Sequence, residues 1–354
     1  MHVSLVQLNL KPKDIEMILN YFGSKARSIE KIEKVLAPHI NRNTVFGDLF
    51  AGTGVVGNHF KNRVKQVVSN DLELYAYVMN KALLTTVYTS KLQAIIKTLN
   101  HLEPKEGLIY ENFSPHGGKM FFTTDNAKQI DAVRFTISSY YKTCAINYKE
   151  FVFLLASLLY SVTRCANTAG TFRAYLKQFH GRALKPFCLS PVHTDRVLSS
   201  RNQVTNRDAL DISKQKFDLV YLDPPYNAHH YGAYYSFFNY LCIYSRNTKI
   251  SSNTGVMQCY NKSQFGLRAY VKNAMKELID NLNATKIAFH YNSNGILGKA
   301  ELVRLLMNNG GSLTVYKYLN RNYKPNANIK NSSVVDYLFL VNRNDKTGFK
   351  EVWL

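Results

Sequence analysis

The stretch 43–84 constrains this chain most, because two apolar segments alternate there with two helical ones. Residues 43–50 are extended and apolar and run into the glycine-rich turn Ala51-Gly52-Thr53-Gly54, after which residues 55–62 carry helical spacing. A second β-branched run, 64–69, ends at Asn70-Asp71, and residues 72–84 continue as a helix with Leu72, Tyr75, Val78, Met79 and Leu83 on one side. Successive strand-helix units of this kind require a parallel sheet with right-handed crossovers. The fold class is therefore α/β.

The alternation stops from 90 to 201, where helical stretches at 91–100, 126–141 and 148–164 are separated by polar, glycine-containing loops. It resumes with an apolar strand at 217–222 and another at 286–291, followed by a helix at 299–308 that Gly310-Gly311 stops. Two β-rich runs, 312–319 and 334–342, close the chain and are joined by a basic, asparagine-rich loop, 320–333. The simplest architecture is one sheet domain built from 1–89 and 202–354, with 90–201 as a helical insertion between its halves.

The 354 residues are 46% hydrophobic and 19% charged, enough for a sizeable core. A net charge of +21 predicts attraction to a polyanion, nucleic acid first and a membrane surface second. The longest apolar run, 151–160, falls well short of the roughly 20 residues that a spanning helix needs, so it reads as a buried core helix. Residues 1–10 carry neither a basic leader nor a small-residue cleavage site, which points to a cytoplasmic setting. The five cysteines are widely spaced with no C-x-x-C pair, against a disulfide framework or a zinc site. His229-His230 cannot easily converge on one ion, so no metal is expected.

Two elements carry chemistry. Gly52-Thr53-Gly54-Val55-Val56-Gly57 matches G-x-G-x-x-G between a strand and a helix, and Asp71 ends the next strand where an acid accepts hydrogen bonds from ribose hydroxyls. Together they indicate an adenosine-containing cofactor, and they suit a nicotinamide dinucleotide as well as S-adenosylmethionine. The second element, Asp223-Pro224-Pro225-Tyr226, leaves the apolar strand 217–222 at the carboxyl edge of the sheet. An exocyclic amine of a base is a poor nucleophile because its lone pair is conjugated with the ring. Hydrogen bonds from that amine to the Asp223 carboxylate and the Pro224 carbonyl favour a pyramidal nitrogen, and prolines hold such a loop rigid. Tyr226 then stacks on a base taken out of the helix. Downstream, Tyr231, Tyr234, Tyr235, Phe237, Phe238, Tyr240 and Tyr244 divide between the pocket wall and the core. Arg173, Tyr175 and Lys177 form either a phosphate-binding segment or a solvated basic face.

These motifs resemble those of the Dam-like adenine-N6 DNA methyltransferases, in the same order and over most of the chain. Asn20-Tyr21-Phe22-Gly23-Ser24-Lys25 resembles that family's amino-terminal motif, which implies that Tyr21 contacts the cofactor and Lys25 lies close to cofactor and DNA. Asp48-Leu49-Phe50-Ala51-Gly52-Thr53-Gly54 resembles its cofactor loop, Asp71 its ribose-binding acid and Asp208 the residue that contacts the cofactor adenine. Asp223 to Tyr226 matches the catalytic tetrapeptide, Asp223 also bordering the cofactor. The resemblance implies a Rossmann-like methyltransferase sheet, mostly parallel with an antiparallel C-terminal hairpin, and a helical target-recognition insertion. It also implies S-adenosyl-L-methionine as donor, S-adenosyl-L-homocysteine as product and no metal. The implied partner is duplex DNA, touched by the hairpin loop at Arg321, Tyr323 and Lys324, with a cognate restriction endonuclease as a separate companion in a bacterial or phage setting.

Three other readings stay open on the sequence. RNA adenine or the cytosine 4-amino group poses the same lone-pair problem. A non-catalytic nucleic-acid binder would suit the charge but has no use for cofactor loop, ribose acid and tetrapeptide together. A nicotinamide oxidoreductase explains neither the tetrapeptide nor the charge.

Overall fold

The computed structural model describes residues 24–194, 200–227, 230–321 and 333–354, with the side chains of 320, 321 and 333 excepted. One eight-stranded sheet organises them, in the order β3-β2-β1-β4-β5-β7-β6-β8. The strands are β1 (Val45–Asp48), β2 (Gln66–Asn70), β3 (Gln203–Thr205), β4 (Phe217–Leu222), β5 (Ala284–Asn292), β6 (Ser312–Arg321), β7 (Ser333–Asn342) and β8 (Gly348–Trp353). From β3 across to β5 every pairing is parallel. β7 enters antiparallel between β5 and β6, and β8 runs parallel to β6 at the edge. The expected antiparallel hairpin is thus present, while β3 and β8 go beyond the sequence reading. β3 is three residues long, and β8 is exposed at all but one position, so neither shows an apolar pattern.

Helices cover both faces. On one side lie α1 (Ile29–Leu36), α2 (Val55–Phe60) and α3 (Leu74–Thr85), whose Ile32, Val56, Phe60 and Leu84 pack with Phe46 and Leu219 of the sheet. On the other lie three helices after the insertion, whose residues Ala209, Met275 and Leu302 pack with Val220, Ile287 and Phe339. Between 90 and 201 there are four α-helices, one short 3-10 helix and no strand among the described residues: α4 (Ser90–Leu99), α5 (Leu108–Phe113), α6 (Thr124–Lys142) and α7 (Tyr148–Val162). The apolar run read as a core helix is α7, buried at every position from 152 to 162 and started by a capping box between Asn147 and Glu150. Its core is continuous with α3 and with Phe237, Phe238 and Leu241. The helices after the insertion are α8 (Ala209–Ile212), α9 (Tyr231–Tyr234), α10 (Ser236–Ile243), α11 (Val271–Asn281) and α12 (Lys299–Met307). Among the described residues no helix is long and apolar enough to cross a membrane.

The chain builds outward from β1 to β2 and β3, then returns to β4 on β1's other side. That reversal opens a crevice at the carboxyl ends of β1 and β4, where α/β sheets bind ligands.

Candidate active site

The first wall of the crevice is the turn after β1. Gly52 and Gly54 have φ of +52° and +83°, a region that costs other residues about 1 kcal/mol or more. The Gly54 N–H donates to the Ala51 carbonyl at 2.8 Å, and the Ala51 N–H donates to the Asn70 carbonyl at 3.0 Å, tying the turn to the end of β2. Gly57 is needed for a different reason. A Cβ there would lie 3.3 Å from Val67 Cγ1 and 3.4 Å from Asp48 Oδ2, and its N–H donates to that same Asp48 oxygen at 3.0 Å. Asp48 is buried, so it fastens α2 to β1 while bordering the crevice.

The second wall is the end of β2. Asp71 accepts from the Gly52 N–H at 2.7 Å on Oδ2 and from the Glu73 N–H at 2.9 Å on Oδ1. Both oxygens keep lone pairs for further donors. Asn70, buried, donates to the Arg207 carbonyl at 3.0 Å and accepts from Thr205 Oγ1 at 2.8 Å, which carries the loop holding Asp208 alongside. Asp208 caps α8 through the Leu210 N–H at 3.0 Å. Glu73, also buried, accepts from Asn239 Nδ2 at 2.5 Å.

The third wall is the tetrapeptide. Asp223 Oδ2 lies 2.6 Å from Lys25 Nζ, both side chains being nearly buried. Asp223 Oδ1 is buried and has no hydrogen-bond partner among the described residues. Burial pulls the Lys25 ammonium down, but Asp223 and then Tyr226 more than offset this and hold it above its ordinary range. The Tyr226 ring lies 5.8 Å from Lys25 Nζ and meets Tyr291 edge-on at 5.8 Å. Its carbonyl accepts from the Ile296 N–H at 2.8 Å, which pins the loop to the segment after β5.

Together these walls enclose a cleft of about 1000 Å³, part of it open to solvent. Its apolar side is made by Leu49, Phe50, Val55, Ala209 and Phe265, with Phe50 and Phe265 in T-shaped contact at 5.0 Å. Its polar side is strongly acidic although the chain is basic: Asp48, Asp71, Glu73, Asp208 and Asp223 line it, with Lys25 as the one lysine or arginine among the described lining residues. Burial pushes Asp48 up to about 7, with Asp223 and Asp71 adding to the effect against the Gly57 hydrogen bond. Burial likewise pushes Asp71 up to about 6 and Glu73 up to about 7. Such a site suits a ligand carrying positive charge on an apolar body. Among the described residues no group of three His, Cys, Asp or Glu side chains could hold a metal ion.

The cleft wall thus gathers Lys25, Asp48, Phe50, Ala51, Gly52, Thr53, Asp71, Asp208, Asp223, Pro225 and Tyr226 from the sequence reading. Pro224 and Gly54 shape the turns without lining the cleft. A Cβ on Gly54 would meet Asn80 Oδ1 at 2.8 Å instead. Arg173 and Lys177 are exposed and off the wall. Arg173 lies 5.5 Å over the ring of Tyr234, at the end of the same short helix whose Tyr231 lines the cleft. Tyr21, Tyr323 and Lys324 and the side chain of Arg321 fall outside what the structure describes. Glu73, Asn261 and Phe265 line the cleft in addition to the residues that the motifs mark. Glu73 was within reach, two residues past Asp71, whereas nothing in the local pattern marks Asn261 or Phe265.

The D12 class N6 adenine-specific DNA methyltransferase model matches residues 21–302. The chain is 35% identical over 341 residues to the type II methyltransferase M.NlaIII of Neisseria lactamica, covering 92% of this chain and 99% of that protein. It is 33% identical to M.CviAII of Paramecium bursaria Chlorella virus 1, covering 91% and 98%. It is also 31% identical to M.FokI of Planomicrobium okeanokoites, covering 92% of this chain but 53% of that longer protein. With its mostly parallel Rossmann-like sheet and a cleft at the switch point, the chain belongs to the D12 class N6 adenine-specific DNA methyltransferase family.

Proposed function

We propose that this adenine-specific DNA methyltransferase acts on an adenine extruded from duplex DNA, with S-adenosylmethionine in the cleft and Asp223 receiving the target amine. The observation that carries the reading is the state of Asp223: one oxygen held by Lys25 at 2.6 Å, the other buried and unpartnered. A buried acceptor left without a donor costs about 1–3 kcal/mol, a cost that an incoming N–H donor removes.

The residues present fit the cofactor. The acidic lining matches a sulfonium and an ammonium, and Phe50 and Phe265 offer apolar faces to an adenine ring. Asp71 and Asp208 would hold the nucleoside and the loop at Ala51, Gly52 and Thr53 its chain. When bound, S-adenosylmethionine supplies an electrophilic methyl group and leaves as S-adenosylhomocysteine. Asp223 and the Pro224 carbonyl accept the two N–H bonds of the adenine 6-amino group, which turns its lone pair out of the ring. Pro225 keeps the loop rigid, and Tyr226 offers its ring to the base. Lys25 fixes the rotamer of Asp223, so the carboxylate meets the amine in one orientation.

The helical insertion 90–201 reads the target sequence in this scheme, with Arg173 and Lys177 on DNA phosphates. Arg321 and Lys324 approach the duplex from the hairpin loop. A cognate restriction endonuclease that cuts the same site when unmethylated is the companion we propose. Labelled-methyl incorporation into duplex DNA, followed by identification of the modified base, tests the reading. Wild-type protein is expected to yield N6-methyladenine and Asp223→Ala none; full activity in Asp223→Ala, or label in RNA or cytosine, overturns it.

A further inference from the structure

Beneath the Lys25–Asp223 pair a buried hydrogen-bonded chain crosses the sheet. Tyr221, which lines the cleft two residues before Asp223, has its hydroxyl 2.6 Å from His290 Nδ1. The other ring nitrogen, Nε2, is 2.9 Å from the hydroxyl of Tyr318. All three side chains are about 1% exposed, and Asp336 Oδ2 lies 3.8 Å from the same Nε2. The four residues sit on β4, β5, β6 and β7, so the chain runs across the half of the sheet that faces α1.

Its far end returns to the cleft. Lys31 of α1 holds its ammonium 4.4 Å over the Tyr318 ring and donates to the Leu319 carbonyl at 3.3 Å. Ser28, whose side chain acts on the Tyr318 hydroxyl, donates its own N–H to the Lys25 carbonyl at 2.9 Å. Lys25 then closes the ring on Asp223. Tyr221, His290, Tyr318, Ser28, Lys25 and Asp223 therefore form one circuit, with His290 as the link between the strand that carries the carboxylate and the segment that carries the lysine.

We propose that His290 is a positioning residue for methyl transfer: by accepting from one tyrosine and donating to the other, it sets where Lys25 holds Asp223. The inference rests on the reading that Asp223 receives the target amine. An apolar core would fill the same space without buried polar groups; a fully bonded polar chain instead specifies one geometry. Geometry is what a carboxylate aligning a nucleophile requires, since a displacement of about 1 Å can cost a hundredfold in rate.

The test uses the full chain. His290→Phe keeps a planar ring and removes both hydrogen bonds, whereas His290→Gln keeps one donor and one acceptor. His290→Phe is expected to lower kcat on duplex DNA at saturating cofactor by about 10- to 100-fold, with the Kd of S-adenosylmethionine, measured by calorimetry, within about threefold of wild type. His290→Gln is expected to recover part of kcat. Unchanged kcat per folded molecule, or a loss of cofactor affinity equal to the loss of kcat, overturns the proposal. Should His290→Phe not fold, Tyr221→Phe and Tyr318→Phe each remove one hydroxyl and keep the ring. Their effects on kcat are then expected to be non-additive, and additivity overturns the proposal. Asp223→Ala measured alongside separates the two claims: activity there refutes the role of the carboxylate, whatever His290 does.

Discussion

Two carboxylates in this molecule, one buried and one nearly so, have opposite surroundings. Asp131, on α6, accepts from the Ile109 N–H at 2.9 Å, the Tyr110 N–H at 2.8 Å and the Tyr244 hydroxyl at 2.6 Å. Both its oxygens are used, and it fastens the start of α5 to α6 and to the end of α10. Asp223 has one oxygen on Lys25 and one without a donor. A structural acid has its partners built in. An acid that receives a substrate amine, as proposed for Asp223, leaves a position open for that donor.

The largest test of this contrast exchanges the two losses. Asp223→Ala is expected to lower kcat by at least about a hundredfold while shifting the melting temperature less than Asp131→Ala does. Asp131→Ala leaves three donors unpaired, so it is expected to cost about 3 kcal/mol or more in urea unfolding and to leave kcat per folded molecule within about twofold. A stable Asp131→Ala enzyme, or an active Asp223→Ala one, would erase the distinction.

A smaller effect is expected from pH. Asp48, Asp71 and Glu73 have carboxyl groups raised to about 7, 6 and 7. A raised carboxyl means that the folded state binds the proton more tightly than the unfolded chain does. Stability without cofactor is therefore expected to fall as pH rises from about 4, the unfolded value, to about 7. A cation in the cleft favours the ionised acids, so the cofactor's Kd is expected to tighten several-fold over the same rise, and the melting shift it causes to grow. Asp131, raised to about 6 but bonded throughout and lying off the cleft wall, is expected to take no part in the cofactor's share. Calorimetry at about pH 6 and 8 decides, and a Kd that is flat or weaker at high pH breaks the electrostatic match.

The smallest effect belongs to the insertion's surface. Arg173→Ala is expected to raise the DNA KM a few-fold on cognate and unrelated duplexes alike, with the salt slope of binding lowered by about 1. A change in which sequence is methylated would make Arg173 a reader of bases instead.

How much of this was legible in the sequence follows from the range of the interactions concerned. The turn at Gly52 and Gly54, the acid at the end of β2 and the tetrapeptide after β4 each arise from a local rule of strand, glycine and helix, and all meet at the cleft. β4 was read to the residue because its burial is nearly continuous. β8, Gly348–Trp353, was missed because an exposed edge strand has no alternation to show. Phe265 and Asn261 reach the cleft from a connection remote in sequence, and the Tyr221–His290–Tyr318 chain joins three strands whose pairing no local pattern encodes. The apolar faces of the helices between 90 and 201 continue into α3 and α10, so they share one core.

The position of β7 bears on how the molecule is made. Although it follows β6 in the chain, it lies inside the sheet, between β5 and β6. On the ribosome, β5 therefore keeps an open edge of unpaired backbone groups, and its apolar residues keep an incomplete cover, until residue 342 has emerged. A nascent chain halted before that point exposes a ready template for mispairing, so chaperone demand is expected to peak late in synthesis, after every residue of the cleft has already been translated.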